Sequence, residues 1–365
     1  MLAFVVAAAC AMLSFASGEL RGNETELMAI MSLQASASLP HLSAELATAV
    51  SVSVSTRIHA VPSLFAQQSG VTPSGNSLQL PNFGALRPWS EILDMLQVAD
   101  QQSSDRLLVI MIRHGEAWEN LNPSPNSECE FEYEGNIIQN FDSDLSDAGV
   151  SQAQQLNSLL REMAPGKDQN LTWFEALGLS NKSFLSSPLT RTLQTSKRAL
   201  ASLPVPRVVA TEVLRASIGT DVCNYRRSIL TKTDLHNPPA PFSSGCTLPD
   251  DSLAEIYSTN SDSNLTFEFP IRPPGGTGWG MYSDEESLWR SDVEDQSHQS
   301  RALAFLTQLF EHQADLSADS RSKNAGVVGV VTHGEMIRAV YEAVGEVAYD
   351  ALNTQVVPLM LERSR

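Results

Sequence analysis

Two uninterrupted apolar runs, Leu107–Ile112 (LLVIMI) and Gly326–Val331 (GVVGVV), constrain this chain more than any other feature of its sequence. Branched apolar runs without alternation suit strands buried on both faces, and such strands belong to parallel sheets covered by helices. Shorter strand candidates are Ser183–Ser186, Val205–Val209 and Val356–Leu361. Helical patterns lie between them, over Asp147–Met163, Leu189–Leu203, Ser297–His312 and Glu335–Val344. Pro88 opens one more, over Pro88–Val98. Strands alternating with helices predict a three-layer α/β/α sandwich around a mainly parallel sheet.

The 365 residues suit one large domain with appendages. Residues 2–16 form an apolar run of secretory length, too short to span a bilayer, followed by Ala16-Ser17-Gly18. Residues 1–18 therefore read as a signal peptide, although no Lys or Arg precedes the run. The expected location is the secretory lumen or outside the cell, with no stable membrane span after cleavage. If the run is not a signal, the location is cytoplasmic. Residues 19–85, rich in Ser and Ala, read as a weakly ordered leader. Residues 86–365 form the main domain, with a Pro-, Ser- and Asp-rich insertion at about 220–285 expected to cover one end of the sheet.

Lys+Arg number 24 against 42 Asp+Glu, a net charge of −18. That surface repels a phosphate backbone, so no nucleic-acid partner is expected, and an anionic ligand must be held by a few arginines placed locally. Four cysteines cannot make a disulfide scaffold; Cys223 and Cys246 are either bridged or free.

Both strong strands end in a histidine: Arg113-His114-Gly115-Glu116 and Thr332-His333-Gly334-Glu335. Ligands of open α/β sheets bind outside the carboxyl ends of the strands, so the two histidines are expected to face one pocket. The stretch Ser186-Ser187-Pro188-Leu189-Thr190-Arg191 follows a third strand and opens a helix, with Arg191 one turn in. A planar guanidinium binds phosphate through paired N–H donors. Arg113, Arg191 and the two imidazoles would converge on a dianion. His-Gly-Glu on strand-end loops lacks the spacing of a helical zinc motif, so no metal site is expected.

RHGE at one strand end, then SPLTRTLQT, then THGE at a later strand end resemble the RHG-type histidine phosphatase (phosphoglycerate mutase-like) superfamily, over roughly residues 106–365. Asp142-x-x-Leu145-Ser146-x-x-Gly149 with Gln152-Ala153 resembles that family's helix opening after the first loop. Asn120, six residues after His114, matches its phosphate-binding asparagine. Cys223, Arg226-Arg227-Ser228, Leu288-Trp289 and Arg301 are similar to a less-characterised phosphoglycerate mutase-like group of plants, fungi and algae. The RHGxRxP signature of the acid phosphatase and phytase branch is absent. Ala117 stands at its second arginine and Glu119 at its proline.

The resemblance implies a metal-independent phosphatase without cofactor, acting on a small-molecule phosphomonoester or a phosphoprotein. His114 would be the nucleophile, forming a phosphohistidine that water cleaves. Arg113, Arg191 and His333 would neutralise the phosphoryl oxygens, and Asn120 would add a hydrogen bond. A phosphoglycerate mutase, which must retain a phosphorylated sugar acid, fits this acidic chain less well.

One departure stands out against the family. Its general-acid glutamate falls at Arg215 or Ala216 within Val213–Gly219, where this chain has no carboxylate. Such an acid contributes about 10²–10⁴-fold. Asp221 is the first substitute, with Glu212 and Glu335 behind it, and Arg215 reads as a second anion-binding group. The rival reading is a catalytically impaired pseudo-phosphatase that binds a phospho-ligand or a protein.

Overall fold

The LLVIMI run lies within strand β2 (Ser104–Arg113), and its side chains alternate between two separate cores. Leu107, Val109 and Met111 enter one; Leu108, Ile110 and Ile112 enter the other. A strand with both faces apolar is stable only between two covering layers. The structure, a computed structural model, describes residues 58–75, 77–98, 104–122, 130–168, 170–218, 221–229, 252–257, 265–272, 279–282, 298–312, 316 and 326–364.

Seven strands form the central sheet: β1 (Ile58–Ala60), β2, β5 (Phe184–Ser186), β6 (Arg207–Ala210), β7 (Thr266–Glu268), β8 (Val327–Thr332) and β9 (Val356–Ser364), in the order β1-β9-β2-β8-β5-β6-β7. Strands β2, β8, β5, β6 and β7 run parallel. Strand β9 runs antiparallel to β2, and β1 antiparallel to β9. A separate hairpin joins β3 (Glu130–Tyr133) to β4 (Asn136–Gln139).

Among the described residues the α-helices are α1 (Trp89–Val98), α2 (Asp147–Arg161), α3 (Trp173–Ala176), α4 (Thr190–Ala199), α5 (Leu253–Tyr257), α6 (His298–His312) and α7 (Gly334–Ala343). Phe305, Leu306 and Leu309 of α6 pack with Ile337 and Val340 of α7 on one face. Ile92 of α1, Leu156 and Leu160 of α2 and Phe174 of α3 cover the other. The three-layer α/β/α arrangement with a mainly parallel sheet is thus present, and its principal strands and helices fall where the apolar patterns place them.

Two expectations about organisation change. Residues 58–75 and 77–85, read as part of a weakly ordered leader, join the fold. Strand β1 pairs with β9, and Phe65 and Phe83 are buried against Trp89 and Trp173. Gln68 ties this segment: its Oε1 accepts from the Leu64 and Phe65 amides and its Nε2 donates to Val61 O. The segment has no helical or strand period because side-chain hydrogen bonds and scattered aromatics hold it. The insertion at about 220–285 also builds the sheet, since β7 extends it alongside β6. Ile229, Leu253, Tyr257 and Met281 then pack on Leu193 of α4 and Ala210 of β6.

The signal-peptide reading at 1–18, the leader as far as residue 57, Cys129, Cys246 and Leu288-Trp289 lie outside the described residues. Among the described residues, no helix is long and apolar enough to cross a membrane.

Phe65→Ala tests the earlier domain start. With Phe65 fully buried, the full chain loses about 3–5 kcal/mol of unfolding free energy. Urea unfolding checks this, and a loss within about 0.5 kcal/mol, typical of an exposed site, would return the segment to a loose leader.

Candidate active site

Register brings the two histidines together. Strands β2 and β8 pair with Arg113 opposite Thr332, so His114 and His333 leave the sheet side by side. Their ring centroids are 5.0 Å apart at 61°. On the other side of β8, β5 pairs with Ser186 opposite Val331 and delivers Ser187 and the first turn of α4, which carries Arg191. Asp142 caps that turn: its carboxylate accepts from the Thr190 amide at 2.8 Å and the Thr190 hydroxyl at 2.8 Å.

Helix α2 closes over the loop that follows His114. A Cβ on Gly149 would stand 1.9 Å from Glu116 O, so only glycine permits this approach. Ser146 caps α2 by accepting from the Gly149 amide at 3.1 Å and donates its hydroxyl to Glu116 Oε1 at 2.7 Å. The Asp142–Gly149 stretch is therefore scaffolding for both histidine and arginine.

His114 Nδ1 lies 2.7 Å from Gly115 O. A carbonyl can only accept, so Nδ1 carries the proton and Nε2 is left with its lone pair. Burial, reinforced by Arg191 and Arg113, holds the His114 pKa well below the ordinary histidine range, so the ring is neutral. His333 is lowered in the same way, by burial first and then by Arg191, His114, Arg301 and Arg113. Its Nε2 is 2.8 Å from the Ser187 hydroxyl, and its buried Nδ1 has no hydrogen-bond partner among the described residues.

Arg113 donates Nη1 to Ala351 O at 2.7 Å, while its Nε is buried and has no hydrogen-bond partner among the described residues. Arg191 donates Nη1 to Cys223 O at 2.9 Å and Nη2 to Asn224 Oδ1 at 2.6 Å. Its remaining nitrogen, Nε, is 3.1 Å from Glu119 Oε1. That carboxylate oxygen is also 3.9 Å from His114 Nε2. Burial raises the Glu119 pKa, opposed mainly by Arg191.

The other expected residues divide. Asn120 is exposed at the rim, where its Oδ1 accepts from the Ala117 amide at 2.9 Å and so fixes the loop turn. Asn353, 3.5 Å from Asn120 Oδ1, donates to His114 O at 3.2 Å. Asp221 is half-buried at the head of the turn Val222–Asn224, and its charge acts on Cys223. Glu335 is exposed in the first turn of α7 and acts electrostatically on Arg113 and Glu119.

Arg215 and Glu212 are corrections. Arg215 is fully buried, with Nη1 donating to Glu212 Oε2 at 3.2 Å and Nη2 to Asn224 O. Glu212 Oε1 is 3.0 Å from Arg226 Nε. The turn Glu212–Leu214, with Arg215 at its end, buries the two side chains against each other, so Arg215 is engaged by Glu212 and Asn224 rather than by a second anion. Cys223 is a free buried thiol whose pKa is pushed well up by burial and by Glu119.

Glu119 is the site residue that sequence reasoning missed. The turn Trp118–Leu121 folds the loop back over the end of β2 and brings this carboxylate to Arg191. The available signal was a carboxylate in the short loop between His114 and Asn120.

A histidine with a bare Nε2 among arginines, at the carboxyl ends of neighbouring parallel strands, is the arrangement of the histidine phosphatase or phosphoglycerate mutase-like class, which this chain resembles. No family model matches the chain. Phosphomutase-like protein 3 of Candida albicans is 27% identical over 219 residues, 57% of this chain and 62% of that protein. The chain thus spans about three fifths of the curated relative it matches. Among solved structures, an alpha-ribazole phosphatase from Shigella flexneri is 17% identical with a TM-score of 0.32, covering 66% of this chain and 82% of that one. A mycobacterial glucosyl-3-phosphoglycerate phosphatase is 18% identical, TM-score 0.31, covering 65% and 79%. The ecdysone phosphate phosphatase of Bombix mori is 15% identical, TM-score 0.31, covering 65% and 76%.

Two outcomes follow from this geometry. Arg215→Met lowers unfolding free energy by about 3 kcal/mol or more, because it takes one partner from a buried carboxylate. Urea titration checks it; a stable variant with weakened phosphate binding would restore Arg215 as a ligand contact. The second outcome concerns pH. Folded His114 and His333 resist protonation, whereas the unfolded chain takes up protons below about pH 6.5. Their contribution is therefore full above that value and lost on acidification, by up to about 1.4 kcal/mol per pH unit for each ring. Unfolding free energies between pH 7.5 and 5.5 should fall less steeply in a His114→Gln, His333→Gln double variant. Equal slopes would mean the rings titrate normally.

Proposed function

We propose that the chain is a phosphomonoester phosphatase working through a phosphohistidine on His114. The observation that carries this reading is the Nδ1–H to Gly115 O bond, which leaves the Nε2 lone pair unprotonated on a ring that Arg191 and Arg113 act upon and that lies 5.0 Å from the His333 ring. Arg113 Nε and His333 Nδ1 are buried without partners among the described residues, which is rare, and a bound oxyanion would satisfy them.

In the first step Nε2 attacks phosphorus in line, the P–N bond forms and the P–O ester bond breaks. The Gly115 carbonyl holds the ring and stabilises the charge it acquires. Arg113, Arg191 and His333 bear on the equatorial oxygens, where charge stabilisation helps phosphoryl transfer most. The leaving oxygen takes a proton from a nearby carboxylate. Water then attacks phosphorus, the P–N bond breaks, and inorganic phosphate leaves His114 neutral again. The arginines supply the charge that a divalent metal would otherwise bring, so the reading includes neither metal nor cofactor. Substrates are small-molecule phosphomonoesters or phosphoproteins.

The test is phosphate release from an aryl phosphate by the purified chain in EDTA. His114→Ala is expected to lower it by about 10³-fold or more, as for loss of a nucleophile. Alkaline quenching of a reaction with ³²P-labelled substrate should trap an acid-labile, base-stable phosphoryl group that the variant lacks. Ala216, at the position of the family's acid, favours a second reading, a pseudo-phosphatase that binds phospho-ligands. Vanadate binding without turnover of any ester would select that reading.

A further inference from the structure

We propose that Glu119 is the general acid–base of this site, protonating the leaving oxygen and then deprotonating the attacking water. The proposal rests on the phosphatase reading above. Glu119 Oε1 lies between the reactive nitrogen and the cationic seat, 3.9 Å from His114 Nε2 and 3.1 Å from Arg191 Nε. Its side chain is 13% exposed, so water can reach it while most of its surface is enclosed.

Three other carboxylates nearby are held elsewhere. Glu212 lies between Arg215 and Arg226, and Glu116 accepts the Ser146 hydroxyl. Asp142 caps α4, and Ala216 has no carboxylate to offer.

The geometry also loads the acid at the right moment. Arg191 donates one N–H of Nη1 to Cys223 O and one of Nη2 to Asn224 Oδ1, and its Nε lies 3.1 Å from Glu119 Oε1, so a phosphoryl oxygen that takes Nε displaces Glu119. A dianion seated beside a displaced carboxylate disfavours its charge, so substrate binding draws a proton onto Glu119. Burial already pushes its pKa up. The groups that face it are Arg191 of α4, Arg113 and His114 at the end of β2, the Cys223 thiol and Glu335 of α7. Arg191, Arg113 and the thiol favour its charged form, and Glu335 opposes it.

The steps balance. As the P–N bond forms and the P–O bond breaks, the Glu119 proton passes to the departing oxygen, which leaves as an alcohol. Glu119, now a carboxylate, takes a proton from water as that water attacks phosphorus and the P–N bond breaks.

Glu119→Gln, Glu119→Asp and Asp221→Asn are compared in the full chain with p-nitrophenyl phosphate, a good leaving group, and glycerol phosphate, a poor one. Glu119→Gln is expected to lower kcat/KM, which reports formation of the phosphohistidine, by about 10²-fold or more on the alkyl ester and by much less on the aryl ester. It should also release a burst of nitrophenol near one equivalent per chain, because the phosphohistidine persists without a base for water. Glu119→Asp should recover part of the alkyl activity, and Asp221→Asn should leave the alkyl-to-aryl ratio where it was. In the unsubstituted chain, alkyl kcat should fall as pH rises through the Glu119 pKa, while aryl kcat stays nearly level.

Equal losses in kcat/KM on both esters, a gain on both, or an alkyl-specific loss in Asp221→Asn would overturn the assignment while leaving the phosphatase reading intact. Absence of aryl turnover in the unsubstituted chain would overturn the phosphatase reading, and this assignment with it.

Discussion

The in-register parallel pairing of β2 with β8 is the constraint on which the site depends. Arg113 stands opposite Thr332, and the next residue on each strand is a histidine. A slip of one residue would turn one imidazole to the opposite face of the sheet and abolish the pair. Register is in turn held by the two cores, because each strand buries alternate side chains on both faces. From the outer side of β2, the turn before β9 adds a brace: the Thr354 amide reaches both Arg113 O, at 3.0 Å, and His114 O, at 3.2 Å.

Electrostatics then separates the pocket from the rest of the molecule. The chain carries a net charge of −18, yet Arg113 and Arg191 meet at the end of β2 and α4. Buried cations of this kind persist only where hydrogen bonds or counter-charges offset the loss of water. Arg191 has two carbonyl-type acceptors and Glu119; Arg113 has the Ala351 carbonyl. A second buried network, Glu212 with Arg215 and Arg226, supports the neighbouring turn without entering the pocket. The two arginine sets look alike in sequence, and their partners distinguish them.

Much of the architecture was legible in the residue order. LLVIMI, GVVGVV and the helical periods between them report burial directly, because a doubly covered strand must be apolar at every position and a surface helix on one stripe. What escaped was structure held by contacts remote in sequence. Residues 58–85 carry no period because Gln68, Phe65 and Phe83 are held by partners distributed along the chain. Strand β7 is only three residues long and draws its definition from β6.

The site divides along the same line. The sequence by itself determined that two histidines and two arginines end up at the carboxyl edge of a parallel sheet, because strand pattern and strand-end position are local properties. Tertiary structure alone decided which carboxylate joins them. Arg215 and Glu212 neutralise each other in the interior, whereas Glu119 is folded back onto Arg191 by a single turn. The physical reason is that a charged side chain's role depends on which opposite charge it meets and how much water it keeps. Neither quantity is encoded in the neighbouring residues of the chain.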